Sequence, residues 1–184
     1  MIGLKTVVFL VAMAGMVYVS RASLAVPRSH GFYRFFASET ILVLAWLNVD
    51  GWFRDPLSWH QLISWCLLAV SVFLVVHAVR LLKQIGKPDS QRNETALIGF
   101  ERTTALVTAG AYRYIRHPMY SSLFFLGWGI FFKSPSWLDA LLSLIATLFL
   151  VATARVEEAE NIRFFGSAYQ TYMQQTKMFI PFLF

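Results

Sequence analysis

Residues Trp59–Leu82, WHQLISWCLLAVSVFLVVHAVRLL, are apolar almost without interruption and carry no acid. Such a run fits a helix that crosses the hydrocarbon of a bilayer. Four more apolar runs flank it, at Ile2–Val19, Phe35–Val49, Met119–Phe132 and Leu138–Ala154, separated by segments rich in charge, proline and glycine. The expectation is an all-α fold, a polytopic membrane helix bundle with about five transmembrane helices. Two of the runs are short, which favours a tilted, compact bundle or a tight hairpin through Lys133-Ser134-Pro135-Ser136.

Composition agrees. Of 184 residues, 57% are hydrophobic and 14% charged, where a soluble domain carries about a quarter charged. A length near that of one ordinary domain leaves no room for a separate soluble catalytic domain, so any chemistry sits on the membrane unit. The first run, with the single Lys5 before a stretch longer than a signal peptide's roughly 7–15 apolar residues, reads as a span and not a cleaved leader. Cys66, the one cysteine, excludes an intrachain disulfide and a zinc site of paired cysteines, and reads as a small core residue.

The formal charge of +6 is spread between the apolar runs, which argues for topology and against nucleic acid as a partner. Arg21, Arg28 and Arg34 fall in the first connection, and Arg54 stands against Asp50 and Asp55 in the second. Lys83, Lys87, Arg92, Arg102, Arg113 and Arg116 fall in the third, and Arg155, Arg163 and Lys177 follow the last run. By the positive-inside rule the amino terminus lies outside, and the carboxyl terminus and the basic connections face the cytoplasm. Residues 83–118 and 155–184 are too long for simple connectors, and a polar cofactor needs hydrogen-bonding groups outside the hydrocarbon.

In the first of these segments, Leu106-Val107-Thr108-Ala109-Gly110-Ala111-Tyr112-Arg113-Tyr114-Ile115-Arg116-His117-Pro118-Met119-Tyr120 leads straight into an apolar helix. Pro118 suits the first helical position, which puts His117 at the helix entrance, with Tyr120 on the first turn and the first amides free for an electron-rich group. Taken alone, a histidine before a helix is more often a cap or an interface anchor. In the second segment Arg155-Val156-Glu157-Glu158 follows the last apolar run. Its carboxylates suit ribose hydroxyls, an ammonium or a sulfonium, or form an ordinary Arg155–Glu158 pair on a solvated helix.

Together the two segments resemble the isoprenylcysteine carboxyl methyltransferase and phospholipid methyltransferase superfamily over roughly residues 97–181. The carrying elements are Leu106-Val107, Gly110-Ala111-Tyr112, Arg116 to Tyr120, Glu157-Glu158, Phe165-Gly166-Ser167-Ala168-Tyr169-Gln170-Thr171-Tyr172 and a closing Pro181. The resemblance implies that S-adenosylmethionine is enclosed by Thr104, Ala105, Leu106, Val107, Tyr112, His117, Pro118, Met119, Tyr120 and Glu157. It implies a cytoplasmic pocket that meets a lipid-accessible tunnel and a lipid-like, isoprenoid or lipidated acceptor, methylated on a carboxylate or an amine. It also implies domains at 1–82, three amino-terminal transmembrane helices, and 83–184, the methyltransferase region with a helical hairpin over 119–154 and a carboxyl-terminal cytoplasmic helix. The chain departs from the isoprenylcysteine branch at Thr104, where that branch has histidine, and at Thr153, where it has the arginine that holds the substrate carboxylate, with Arg155 two residues later. Met178, beside Lys177, takes another arginine's place.

The nucleophile decides whether a base is needed. A carboxylate needs none, while an amine or thiol must lose a proton, with His117, Glu157 or Glu158 as candidates and Arg155 as a possible clamp. His30, His60 and His77, scattered through the chain, read as structural. Trp128 between Gly127 and Gly129 suits close helix packing, and Glu39, costly in lipid, is expected to face the bundle interior. Two alternatives stay open: a nicotinamide-dependent lipid reductase, and a non-catalytic scaffold or transporter.

Overall fold

The computed structural model describes residues 2–87 and 103–184, so Arg92 and Arg102 of the third connection lie outside the described residues. Among the described residues six α-helices follow in order: α1 Ile2–Leu24, α2 His30–Asn48, α3 Trp59–Ile85, α4 Pro118–Phe131, α5 Trp137–Phe165 and α6 Ser167–Gln175. There is no β-sheet among the described residues. The bundle is all-helical, and α1 to α5 coincide with the five apolar runs.

Three of them, α1, α3 and α5, are long and apolar enough to cross a membrane. The 19 residues of α2 and the 14 of α4 rise only roughly 28 and 21 Å, short of the roughly 30 Å of hydrocarbon. Of the about five spans expected, three are long helices able to cross alone, and the other two are shorter helices packed on them. α2 packs chiefly along α5, and α4 along α3 more than along its hairpin neighbour α5.

Helix starts follow local chemistry. The Ser29 and Ser136 hydroxyls accept from the amides of Phe32 and Asp139 and cap α2 and α5, satisfying amides that have no helical partner. The Ser29 cap starts α2 five residues before its apolar run. Arg34 therefore sits inside a helix, and so does Arg21, which leaves Arg28 alone in the first connection. At 29 residues, α5 is roughly 43 Å long. That exceeds the roughly 30 Å of hydrocarbon, and its charged residues after Asp139 gather in the last turns from Arg155.

In lipid, helices gain little from hydrophobicity and associate through close packing and hydrogen bonds. Gly129 lets α4 approach Leu68 so closely that an added Cβ would stand 3.0 Å from its side chain. The hydroxyls of Ser64 and Ser71 donate to the carbonyls of Gly129 and Ser122, both at 2.7 Å. Ala37, Tyr120, Leu150, Ala154 and Phe179 form the core next to the site, and Ile41, Leu44, Ile130 and Ala146 the core beyond it. At the far end Lys133 is fully buried, its ammonium 3.2 Å from the Trp65 ring centroid and 3.0 Å from Gln61 Oε1.

One placement differs from the sequence reading. Cys66 is exposed on α3: in a membrane chain, small apolar residues cover the lipid-facing surface as readily as the core. Glu39, expected to face the bundle interior, has its Oε1 buried with no hydrogen-bond partner among the described residues, on a side of α2 away from the stripe of Ala37, Ile41 and Leu44. It shares its face with Trp46, seven residues on, which packs on Phe9 of α1.

Candidate functional site

Arg116-His117-Pro118 sets the site. Pro118 occupies the first turn of α4 with His117 at the N-cap position, the arrangement in which proline's missing N–H costs nothing. Just upstream, the backbone amides of Arg116 and His117 donate to the carbonyls of Lys177 and Met178, at 2.8 and 3.2 Å, and the Lys177 amide donates to Tyr114. The carboxyl-terminal segment is thereby laced along the approach to α4.

Two acids of α5 meet this turn. His117 Nδ1 lies 3.8 Å from Glu157 Oε2, and its Nε2 lies 3.2 Å from Glu158 Oε1. Glu158 also accepts from Arg116 Nε at 2.7 Å, and Nη1 of the same guanidinium donates to the carbonyls of Met173 and Thr176. One buried arginine therefore joins the α4 entrance, α5 and the end of α6. The Tyr120 hydroxyl hydrogen-bonds to Glu157, and the Tyr120 ring stacks on His117 with centroids 5.4 Å apart.

A small cavity of about 70 Å³, partly open to solvent, lies between these elements. Of the residues singled out from sequence, Leu106, Val107, Tyr112, His117, Met119, Tyr120 and Glu157 line it. Thr104, Ala105 and Pro118 do not. The Thr104 hydroxyl donates to the Lys87 carbonyl, the amides of Thr104 and Ala105 donate to Gly86, and Pro118 is buried in the helix start. Glu158 stands behind the wall, bound to Arg116. Arg155 is exposed and away from the cavity, so the Arg155–Glu158 pair is not formed: Glu158 turns toward α4 while Arg155, three residues earlier, faces outward.

Sequence reasoning missed Leu82, Thr103, Arg116, Asn161, Phe165, Tyr169 and Tyr172 as cavity residues. Asn161 and Phe165 stand four and eight residues after Glu157 on one helix, a spacing that puts them on the same face. Tyr169 and Tyr172 of α6 close the cavity, and the Tyr172 hydroxyl donates to the Tyr112 carbonyl at 2.6 Å. Both phenols are pushed well above the ordinary tyrosine range: Tyr169 by burial and then by the charge of Glu157, Tyr172 by burial against the opposing pull of Arg116. They remain neutral hydrogen-bond donors. Gly110, at φ +58°, takes the left-handed turn ahead of Tyr112, and His77 beneath it accepts from the Ala111 amide at 3.3 Å.

Chemically, the cavity presents the Glu157 carboxylate, the His117 imidazole, the Arg116 guanidinium that Glu158 pairs, the Asn161 amide, neutral phenols and aromatic walls. That set suits a nucleoside: hydroxyls can bond to Glu157, a base can lie against tyrosine rings, and a cationic sulfur is favoured near the acids.

The chain belongs to the phospholipid methyltransferase family, whose model matches residues 59–168. The matched stretch holds α3, α4, α5 and most cavity residues. Among its relatives is the methanethiol S-methyltransferase of Crocosphaera subtropica, 23% identical over 85% of this chain and 62% of that protein. The methanethiol S-methyltransferase 1 of Bradyrhizobium diazoefficiens is 27% identical over 84% of this chain and 55% of that protein. A third, the protein-S-isoprenylcysteine O-methyltransferase of Schizosaccharomyces pombe, is 34% identical over 42% of this chain and 34% of that protein. The chain thus spans about three fifths of the length of the first two.

Proposed function

We propose that this protein is an integral membrane methyltransferase that takes its methyl group from S-adenosylmethionine. The single observation that carries the reading is the cavity lined jointly by the His117 turn and by Glu157, stretches 40 residues apart in sequence. The family and the three relatives, all named as methyltransferases, support it.

Bound in the cavity, S-adenosylmethionine supplies a methyl group already activated on a sulfonium. The chain's own work is then positioning and exclusion of water. Glu157 accepts hydrogen bonds from hydroxyls or balances positive charge. Tyr120 holds that carboxylate, Tyr112, Tyr169 and Tyr172 wall the nucleoside, and His117 stands where an acceptor proton can leave. The acceptor is an apolar molecule that arrives from the bilayer, lipid-like or isoprenoid, or a small thiol. The relatives named for methanethiol favour sulfur, and the one named for isoprenylcysteine favours a lipidated carboxylate. Residues 83–184 form the methyltransferase region behind three helices in 1–82. The positive-inside pattern supports a site on the cytoplasmic side.

Isothermal titration of the purified protein tests this. S-adenosylhomocysteine binds and NADPH does not, and Glu157→Ala and His117→Ala each weaken the nucleoside about tenfold or more while the helical circular dichroism is kept. Binding of NADPH alone would favour a reductase, and binding of neither a scaffold. Radiolabelled methyl transfer to a total lipid extract and to alkanethiols then identifies the acceptor.

A further inference from the structure

His30 is the first residue of α2, fully buried, and far in sequence from every residue of the cavity. Its Nδ1 lies 2.5 Å from Oε2 of Glu160 on α5, and its Nε2 is buried with no hydrogen-bond partner among the described residues. Glu160 stands three residues after Glu157, so the two share a helix face. Along that face Glu160 turns to α2 and Glu157 to the cavity. The opposite neighbour of Glu157 is His117, on α4. Glu157 thus has His117 beside it at the α4 entrance, and its neighbour one turn on, Glu160, holds His30 at the start of α2.

The geometry points to His30 as a positioning residue: gripped by Glu160, it anchors the start of α2 to α5 and fixes the orientation and charge of Glu157 in the cavity wall. The inference rests on the reading of the cavity as a nucleoside site. It gives α2, which supplies no residue to the cavity lining, a direct hold on that site. The groups facing His30 are Glu160 and Glu157 on α5 and Arg34 on its own helix. Burial and Arg34 oppose the charged ring, while the Glu160 hydrogen bond and the two carboxylates outweigh them and raise its pKa above histidine's ordinary value. The imidazolium–carboxylate tie is therefore strongest in mild acid and weakens as pH rises past about 6.5.

Titration calorimetry with S-adenosylhomocysteine between about pH 6 and 9 tests this on the intact protein, without knowledge of the acceptor. The parent loses affinity about tenfold as pH rises. His30→Gln and Glu160→Gln start at that weaker affinity in mild acid and are flat with pH. In a Glu157→Gln background, His30→Gln causes no further loss, because it acts through Glu157. The inference is overturned if His30→Gln and Glu160→Gln keep the parent's pH dependence, if the parent shows none, or if His30→Gln weakens binding undiminished in the Glu157→Gln background. A parent that binds no nucleoside at any pH removes instead the reading on which the inference rests. If His30→Gln does not fold, Glu160→Gln alone decides, by its pH dependence and by whether its loss persists undiminished in the Glu157→Gln background.

Discussion

Arg116→Ala removes a guanidinium whose side chain is 11% exposed and paired with a carboxylate that is 9% exposed. Three bonds are lost, to Glu158 Oε1 and to the carbonyls of Met173 and Thr176. Glu158 keeps only His117, at 3.2 Å, as its hydrogen-bond partner. Breaking a buried pair by removing one member costs about 3–5 kcal/mol, because the other charge is stranded. For a chain of 184 residues that is a fall of roughly 6–20 °C in Tm. The assay is thermal unfolding in detergent micelles, followed by circular dichroism, for Arg116→Ala, Glu158→Ala and the double variant. The double variant should be less destabilised than the sum of the singles by about 2 kcal/mol or more, since it strands no charge. Additivity within about 0.5 kcal/mol, or a single variant as stable as the parent, would refute the view of Arg116 as the buried staple of the site.

Gly110→Ala forces a side chain onto a left-handed residue whose Cβ would stand 2.4 Å from His77 Nε2. A loss of about 1–3 kcal/mol and weaker S-adenosylhomocysteine binding are expected, both measurable on one purified sample. Tyr169 and Tyr172 should stay protonated when exposed tyrosines ionise near pH 10, as absorbance titration would show. The unfolded chain releases those protons first, so they make stability fall as pH rises above about 10. Lys133→Ala, which empties the Trp65 face at the far end of the bundle, should cost about 2–5 kcal/mol and leave nucleoside affinity unchanged. A parallel loss of affinity would mean that the two ends are coupled.

The apolar runs made five helices legible because a helix in lipid must be apolar over its length, and the His117-Pro118 turn was legible because proline dictates its own place. Helix ends were read less well. The Ser29 cap starts α2 ahead of its apolar run, and α5 continues without a break through its charged turns to Phe165. Partners were least legible. Glu158 with Arg116, and His30 with Glu160, join residues 42 and 130 positions apart, and no local pattern announces them. The same holds for Arg155, whose nearest acids in sequence suggested a pairing that the helix geometry turns outward. Burial misled at Cys66, because a membrane helix hides no more apolar surface on its core side than it shows to lipid.

The most direct measurement is an experimental structure of the protein with S-adenosylhomocysteine. The nucleoside should lie between the His117–Tyr120 turn and Glu157, under Tyr169 and Tyr172, with Glu157 within hydrogen-bond distance of it. A ligand bound elsewhere, or one that touches the His117 turn while Glu157 points away, would contradict the shared pocket on which every assignment above depends.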